Sequence, residues 1–267
     1  MTPATVTLAA LAAMKAAGQR ISMLTAYDAS FARLLDCSGV ECVLVGDSLG
    51  HVIQGRDSTI PVTLEHMVYH VECTARGIGR ALLLADLPFL RYADERDAIE
   101  SSRRLMQAGA QMVKLEGGRA VAQVVARLVE LGVPVCGHLG LTPQSVHQLS
   151  GYRVQGRAPE ARSRLLEDAR ALERAGAALL VLECVPDSLG MEVAATLSIP
   201  VIGIGAGAAV DGQVLVLHDL LGLGEGRRPR FVRDFCATSG SPAAAIAAFV
   251  AAVRDGSYPA ESERYGG

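Results

Sequence analysis

The six cysteines of this 267-residue chain, at positions 37, 42, 73, 136, 184 and 236, include no pair at CxxC spacing. Thiolate ligands of a structural zinc usually come in closely spaced pairs, so a zinc cluster is disfavoured. Cys42, Cys136 and Cys184 fall in or beside apolar runs, which reads as buried free thiols in a cytoplasmic chain. Long blocks of one charge sign are also missing, and the formal net charge is −3. That leaves no electrostatic reason to expect nucleic acid or a membrane surface as a partner. No run approaches the roughly 18 uninterrupted apolar residues of a membrane span. The N-terminal TVTLAALAAMKAAG has the apolar stretch of a secretory signal but lacks the basic residues that should precede it; its first cation is Lys15. It reads instead as an Ala-rich amphipathic helix covering one end of the fold.

What is present is the material of a large core. Half the residues are hydrophobic, one fifth are charged, and 28 are Gly. Short β-rich runs alternate with longer helical stretches. The strand candidates are 21–25, 42–45, 81–85, 111–116, 133–137, 178–183, 200–204 and 214–217. Their continuous Val/Leu/Ile character is that of parallel strands buried on both faces. Helical spacing occupies 30–38, 64–76, 94–108, 120–131, 160–175, 188–197 and 241–255. Eight strands close a barrel, and the length suits a single (β/α)8 domain over residues 1–267. Two long polar segments, 50–63 and 139–159, follow strands at one face, where loops of that length serve as lids or ligand contacts.

Four acids stand at the ends of four of these runs: Asp47 after CVLVG, Asp86 after ALLLA, Glu116 in QMVKLEGG and Glu183 after ALLVL. In a parallel barrel those ends converge on the face where ligands bind. Lys114 and Glu116 are two apart on one strand and share a face; so do Leu82, Leu84 and Asp86, and Leu179, Val181 and Glu183. The acids therefore look into the barrel mouth. At about 4 Å and an effective dielectric near 20, each like-charge pair costs roughly 4 kcal/mol, and Lys114 alone cannot balance four acids. A hard divalent ion held by one or two carboxylates resolves the repulsion and suits Mg²⁺. Any one acid alone could instead cap a helix or pair with an arginine.

Other residues carry two readings each. Ser48 in GDSLG binds an anion or caps a turn; Asp28 shares the mouth with Tyr27 or caps the following helix. His66 and His70 stand at i and i+4 but lack the HExxH pattern, and read as a solvated helix face. His138, directly after PVCG, is in the active region and can hydrogen-bond substrate; His218 is similarly placed after VLVL. GIGAG at 203–207 is either a phosphate cradle or a turn that lets an uncharged portion of a ligand approach closely.

The strings TAYD, VGDSLG, DSTIPVT, LLLADLPF, VKLEGG, PVCGHLGLTPQSV, GYRVQGR, LLVLECVP, IPVIGIGAG and DGQVLV, in this order, resemble the ketopantoate (3-methyl-2-oxobutanoate) hydroxymethyltransferase family over nearly the whole chain. The resemblance implies a (β/α)8 barrel of the phosphoenolpyruvate/pyruvate type that assembles into a homo-oligomer, commonly a decamer. It implies Asp47, Asp86 and Glu116 as the Mg²⁺ ligand set, Asp47, Ser48, Asp86 and Lys114 as contacts to the keto acid, Glu183 as the proton acceptor, and 5,10-methylenetetrahydrofolate as cosubstrate. Ala208 and His51 depart from the residues common in the family at those turns. The competing reading is a related barrel of the phosphoenolpyruvate mutase and isocitrate lyase type, which would carry a catalytic Cys in a KKCGH-like loop; Cys136 in CGHLGL lacks the preceding lysines. A catalytically silent ligand-binding barrel is a third reading, and the presence of Glu183 argues against it.

Overall fold

The computed structural model describes residues 4–224 and 228–266. Eight parallel strands close into a barrel in sequence order. In chain order the elements are α1 (Leu8–Ala16), β1 (Ile21–Thr25), α2 (Ala29–Cys37), β2 (Cys42–Val45), α3 (Leu49–Val52), α4 (Leu64–Ala75), β3 (Leu82–Asp86) and α5 (Glu95–Gln107). There follow β4 (Met112–Glu116), α6 (Ala122–Glu130), β5 (Val135–Gly140), α7 (Pro159–Arg174), β6 (Leu179–Glu183), α8 (Asp187–Thr196), β7 (Val201–Ile204), β8 (Gly212–Leu215), α9 (Leu217–Leu220), α10 (Cys236–Ser239) and α11 (Pro242–Asp255). No helix among the described residues is long and apolar enough to cross a membrane.

Several helices, α2 and α4 among them, begin where a side chain satisfies their first free N–H groups. Asp28 accepts from the amides of Ser30 and Phe31, at 2.8 and 2.9 Å. Thr63 and His66 close a reciprocal box at the start of α4. His70, one turn on, meets the carbonyl oxygen of Tyr27 at 2.7 Å through Nδ1. The i, i+4 histidines are thus a cap and a packing contact, and the solvated face expected of them is corrected.

Alternation along each strand divides the apolar residues into two cores. Leu83, Ala85, Val113, Leu115, Leu180 and Leu182 pack outward with the helices. Ile21, Met23, Cys42, Leu82, Leu84, Met112, Cys136, Leu179, Val181, Ile202 and Val214 fill the barrel. Val6 and Leu11 join that inner cluster, with Leu8 and Met14 beside it, so α1 closes the end of the barrel opposite the acids. Lys15 pins this plug through Asp211 at 2.7 Å.

Two strands differ from their sequence reading. β5 continues to Gly140, so His138 lies within the strand and not after it. β8 starts at Gly212, because Gly212 and Gln213 are drawn into the sheet by pairing with Ile21 and Ser22 despite their weak strand propensity. Between β7 and β8 there is no helix; residues 205–211 alone make the return.

Candidate active site

Sheet register brings the strand-end side chains next to one another. Asp86 is paired with Lys114 across β3 and β4, Glu116 with His138 across β4 and β5, and Gly140 with Glu183 across β5 and β6. Asp47 enters from the turn after β2 by donating its main-chain N–H to Asp86 Oδ2 at 3.0 Å. Asp47, Asp86, Lys114, Glu116 and His138 are each at most 5% exposed, while the Glu183 side chain keeps 15%. The four acids, the lysine and the histidine therefore occupy one mouth, and Glu183 is its most open acid.

Three contacts organise the charges. Lys114 Nζ donates to Asp86 Oδ1 at 2.6 Å. His138 stands between two acids, with Nδ1 3.2 Å from Glu116 Oε1 and Nε2 3.2 Å from Glu183 Oε2, and neither contact has hydrogen-bond geometry. Both ring nitrogens thus face carboxylates. Across the mouth, the Tyr27 hydroxyl meets Ser48 Oγ at 2.8 Å. Ser48 precedes α3 but its hydroxyl makes no capping bond, so of its two readings the cap is not the one observed.

Burial of so many acids has a titration consequence. Desolvation first, then the charges of Asp86 and Glu116, push the Asp47 carboxyl up to about 8. Desolvation raises Glu116 to about 7, with Lys114 opposing. Burial also raises Glu183, against the opposing contact with His138. Burial works to lower Lys114, but the charges of Asp86, Glu116 and Asp47 outweigh it and hold the ammonium well above its ordinary value. Burial and the Lys114 charge hold His138 low, so the ring is neutral.

The three-acid metal set is not ready-made. Among the described residues no group of three or more His, Cys, Asp and Glu is arranged to share an ion. Lys114 takes one oxygen of Asp86, and the amide of Gln144 stands between Asp47 and Glu116, so Asp47 and Asp86 adjoin while Glu116 is set off. Gln144 and its partner Tyr92 are site residues that the sequence reading missed; a glutamine in a loop carries no local signal of such a role.

A second missed feature is backbone strain beside Glu183. Cys184 has φ 48°, a left-handed conformation uncommon for a residue with a side chain. The neighbouring Gly140 also has positive φ, and a side chain there would run into the Glu183 carbonyl oxygen. At two of its glycines GIGAG packs against protein and not against a ligand: Phe231 and Tyr265 fill the space at Gly205, and the Asp187 carboxylate fills it at Gly207. An acid in that position is the opposite of what a phosphate cradle presents. Cys136 lies in the inner core within β5, its thiol pushed up to about 12 by burial, which removes it as a loop nucleophile.

A closed parallel barrel whose strand ends gather acids, a lysine and a histidine is an α/β-barrel enzyme in architecture. The ketopantoate hydroxymethyltransferase family model matches residues 5–261, and the chain belongs to that family. It is 56% identical over 260 residues to the 3-methyl-2-oxobutanoate hydroxymethyltransferase of Xylella fastidiosa (strain M12), covering 97% of this chain and 96% of the relative. To the protein of the same name from Burkholderia thailandensis it is 57% identical over 254 residues, with 95% and 94% covered. Among solved structures, phosphoenolpyruvate phosphomutase from Streptomyces platensis subsp. rosaceus superposes with a TM-score of 0.62 at 16% identity, covering 80% of this chain and 82% of that one. Phosphonopyruvate hydrolase in complex with oxalate and Mg²⁺ gives 0.60 at 13%, covering 78% and 80%. These two share the fold.

Proposed function

We propose that this enzyme adds a hydroxymethyl group from 5,10-methylenetetrahydrofolate to 3-methyl-2-oxobutanoate, giving 2-dehydropantoate, the first committed step of pantothenate and hence coenzyme A synthesis. Family membership and the names of the 56% identical relatives support the reaction. The observation that carries it is a partly open carboxylate, Glu183, across a buried mouth from the Lys114–Asp86 pair.

In this reading Lys114 and Ser48 bind the keto acid's carboxylate and oxygen, and the walls of the mouth exclude water. Glu183, desolvated and therefore a stronger base than a glutamate in water, removes the C3 proton. The electron pair moves toward the keto oxygen and C3 then bonds to the one-carbon unit. Both bonds from that carbon to the folate nitrogens break, water supplies the hydroxyl oxygen, the nitrogens take up one proton from water and the one removed from C3, and tetrahydrofolate leaves. His138, neutral and 3.2 Å from Glu183, is placed to contact the substrate beside that carboxylate.

The donor set fits Mg²⁺. Asp47, Asp86 and Glu116 are hard-oxygen donors at the same mouth, and burial first, with neighbouring acids beside it, raises two of them to about 8 and about 7, so a bound cation would favour their charged forms. When bound, the ion would supply Lewis acidity toward the keto acid's oxygens, the role for which a neighbour in fold crystallised with oxalate and Mg²⁺ offers a parallel. The cysteines, all free, suit a cytoplasmic setting, and the family resemblance supports a homo-oligomer, taken to be a decamer.

Incubation with 3-methyl-2-oxobutanoate, methylenetetrahydrofolate and Mg²⁺, with and without chelator, tests reaction, cosubstrate and metal together. Formation of 2-dehydropantoate that stops on chelation is expected. No product in the complete mixture removes the assignment, and full activity in chelator removes the metal.

A further inference from the structure

Gln144 lies in the 3-10 turn Pro143–Ser145 of the loop after β5, only 3% exposed, and its polar groups are engaged on four sides. Its side-chain oxygen accepts from the Tyr92 hydroxyl at 2.6 Å. Burial raises the Tyr92 phenol, which stays protonated and able to donate. The amide nitrogen is thereby turned the other way, where it donates to Asp47 Oδ2 at 2.9 Å and to the Leu87 carbonyl oxygen at 3.0 Å. Reversing the amide would set an oxygen against a carboxylate and a carbonyl and leave the phenol facing a donor. The main-chain N–H of Gln144 donates to Glu116 Oε2 at 3.0 Å.

One oxygen of Asp47 and one of Glu116 are thus committed to a single neutral residue. The other oxygen of Glu116 is buried without a hydrogen-bond partner. A buried acceptor left in that state is costly unless a ligand completes it. We propose that Gln144 is a positioning residue for the acids of the mouth: its amide, oriented by Tyr92, aims Asp47 at the ligand, and its main chain does the same for Glu116. The long loop after β5 is therefore coupled to the geometry of an acid just after β2 and another on β4, an arrangement of the kind that outer hydrogen-bond partners impose on metal-binding carboxylates. The metal part of this inference rests on the proposed Mg²⁺ site.

The test is a cycle of Gln144→Met, Tyr92→Phe and the double variant, titrated calorimetrically with Mg²⁺ alone. Gln144→Met should weaken Mg²⁺ binding about tenfold or more, in the range seen for outer-sphere partners. Tyr92→Phe should weaken it less, and the double variant should be no weaker than Gln144→Met, because Tyr92 acts through Gln144. A lowered melting temperature with unchanged Mg²⁺ affinity, or effects of the two substitutions that simply add, overturns the proposal. Crystal structures of the ligand-free variants read positioning without any metal: an Asp47 carboxylate rotated from its native direction supports it, and an unmoved one overturns it. Wild-type protein that takes up no Mg²⁺ defeats the metal reading alone, and the structures then decide. If Gln144→Met fails to fold, Tyr92→Phe, which leaves Gln144 in place, carries both measurements.

Discussion

The two ends of the barrel are built from the same strands and behave oppositely. Toward the end closed by α1, the inward residues are Leu82, Met112, Cys136 and Leu179, packed with Val6 and Leu11. One or two inward positions further along the same strands stand Asp86, Lys114, Glu116, His138 and Glu183. The first layer gains from burial; the second loses by it, since each acid would be better solvated in the unfolded chain. Stability is concentrated at one end and chemistry at the other, and the strands between them hold the second rigid at the expense of the first.

Substitutions at the two ends should therefore fail in different ways. At the mouth, Glu183→Gln is expected to slow deuterium exchange at C3 of 3-methyl-2-oxobutanoate by about 10²–10⁴-fold, the usual contribution of a general base. Its melting temperature and Mg²⁺-dependent keto acid binding should stay near native; exchange at the native rate would take Glu183 out of the mechanism. At the closed end, Leu179→Ala should cost about 2–5 kcal/mol in denaturant unfolding, as buried leucine truncations do, while exchange per folded molecule persists. A loss of exchange in the folded variant would mean that the two ends are not separable.

Titration sharpens the same contrast. Asp47 and Glu116 keep their protons up to about 8 and about 7 when folded, against ordinary values of 3.8 and 4.5. Between those limits the folded state binds more protons than the unfolded one, so their contribution is fully present below about pH 4 and is lost as pH rises through about 7 to 8. Thermal melts of metal-free protein should fall across that window, and saturating Mg²⁺ should flatten the fall; stability that climbs with pH there would contradict the burial of these acids. The smallest effect is expected at the rim. His51 Nδ1 is 2.9 Å from the Arg56 carbonyl oxygen and its Nε2 is 3.1 Å from the Tyr152 hydroxyl, which joins the loops after β2 and β5. Tyr152→Phe should cost no more than about 1 kcal/mol and show itself as faster hydrogen exchange in residues 147–157, with unchanged exchange marking the contact as idle.

What could be read in the sequence was whatever repeats at short range. An acid two positions beyond Leu84 or Val181 declares its face through strand alternation, so the convergence of Asp86, Lys114, Glu116 and Glu183 followed from strand ends and a closed sheet. The role of Gln144 did not, because it depends on a contact 97 residues away with Asp47. His138 was placed just after a strand read as ending at Gly137; in the barrel the strand continues to Gly140, whose lack of a side chain permits the close approach of Glu183. Both readings of GIGAG assumed a ligand, and the packing seen there depends on Phe231, Tyr265 and Asp187, which arrive from other parts of the chain.

The helixless return between β7 and β8 gives the last forty residues a task. Phe231, Phe235, Phe249 and Tyr258 belong to the outer core, Tyr265 reaches Gly205, and the Tyr265 carbonyl oxygen accepts from the Asp187 amide at 2.9 Å. The barrel wall on that flank is finished by sequence that comes after the barrel is complete. A polypeptide emerging from synthesis would hold all eight strands before the residues that cover this flank had appeared.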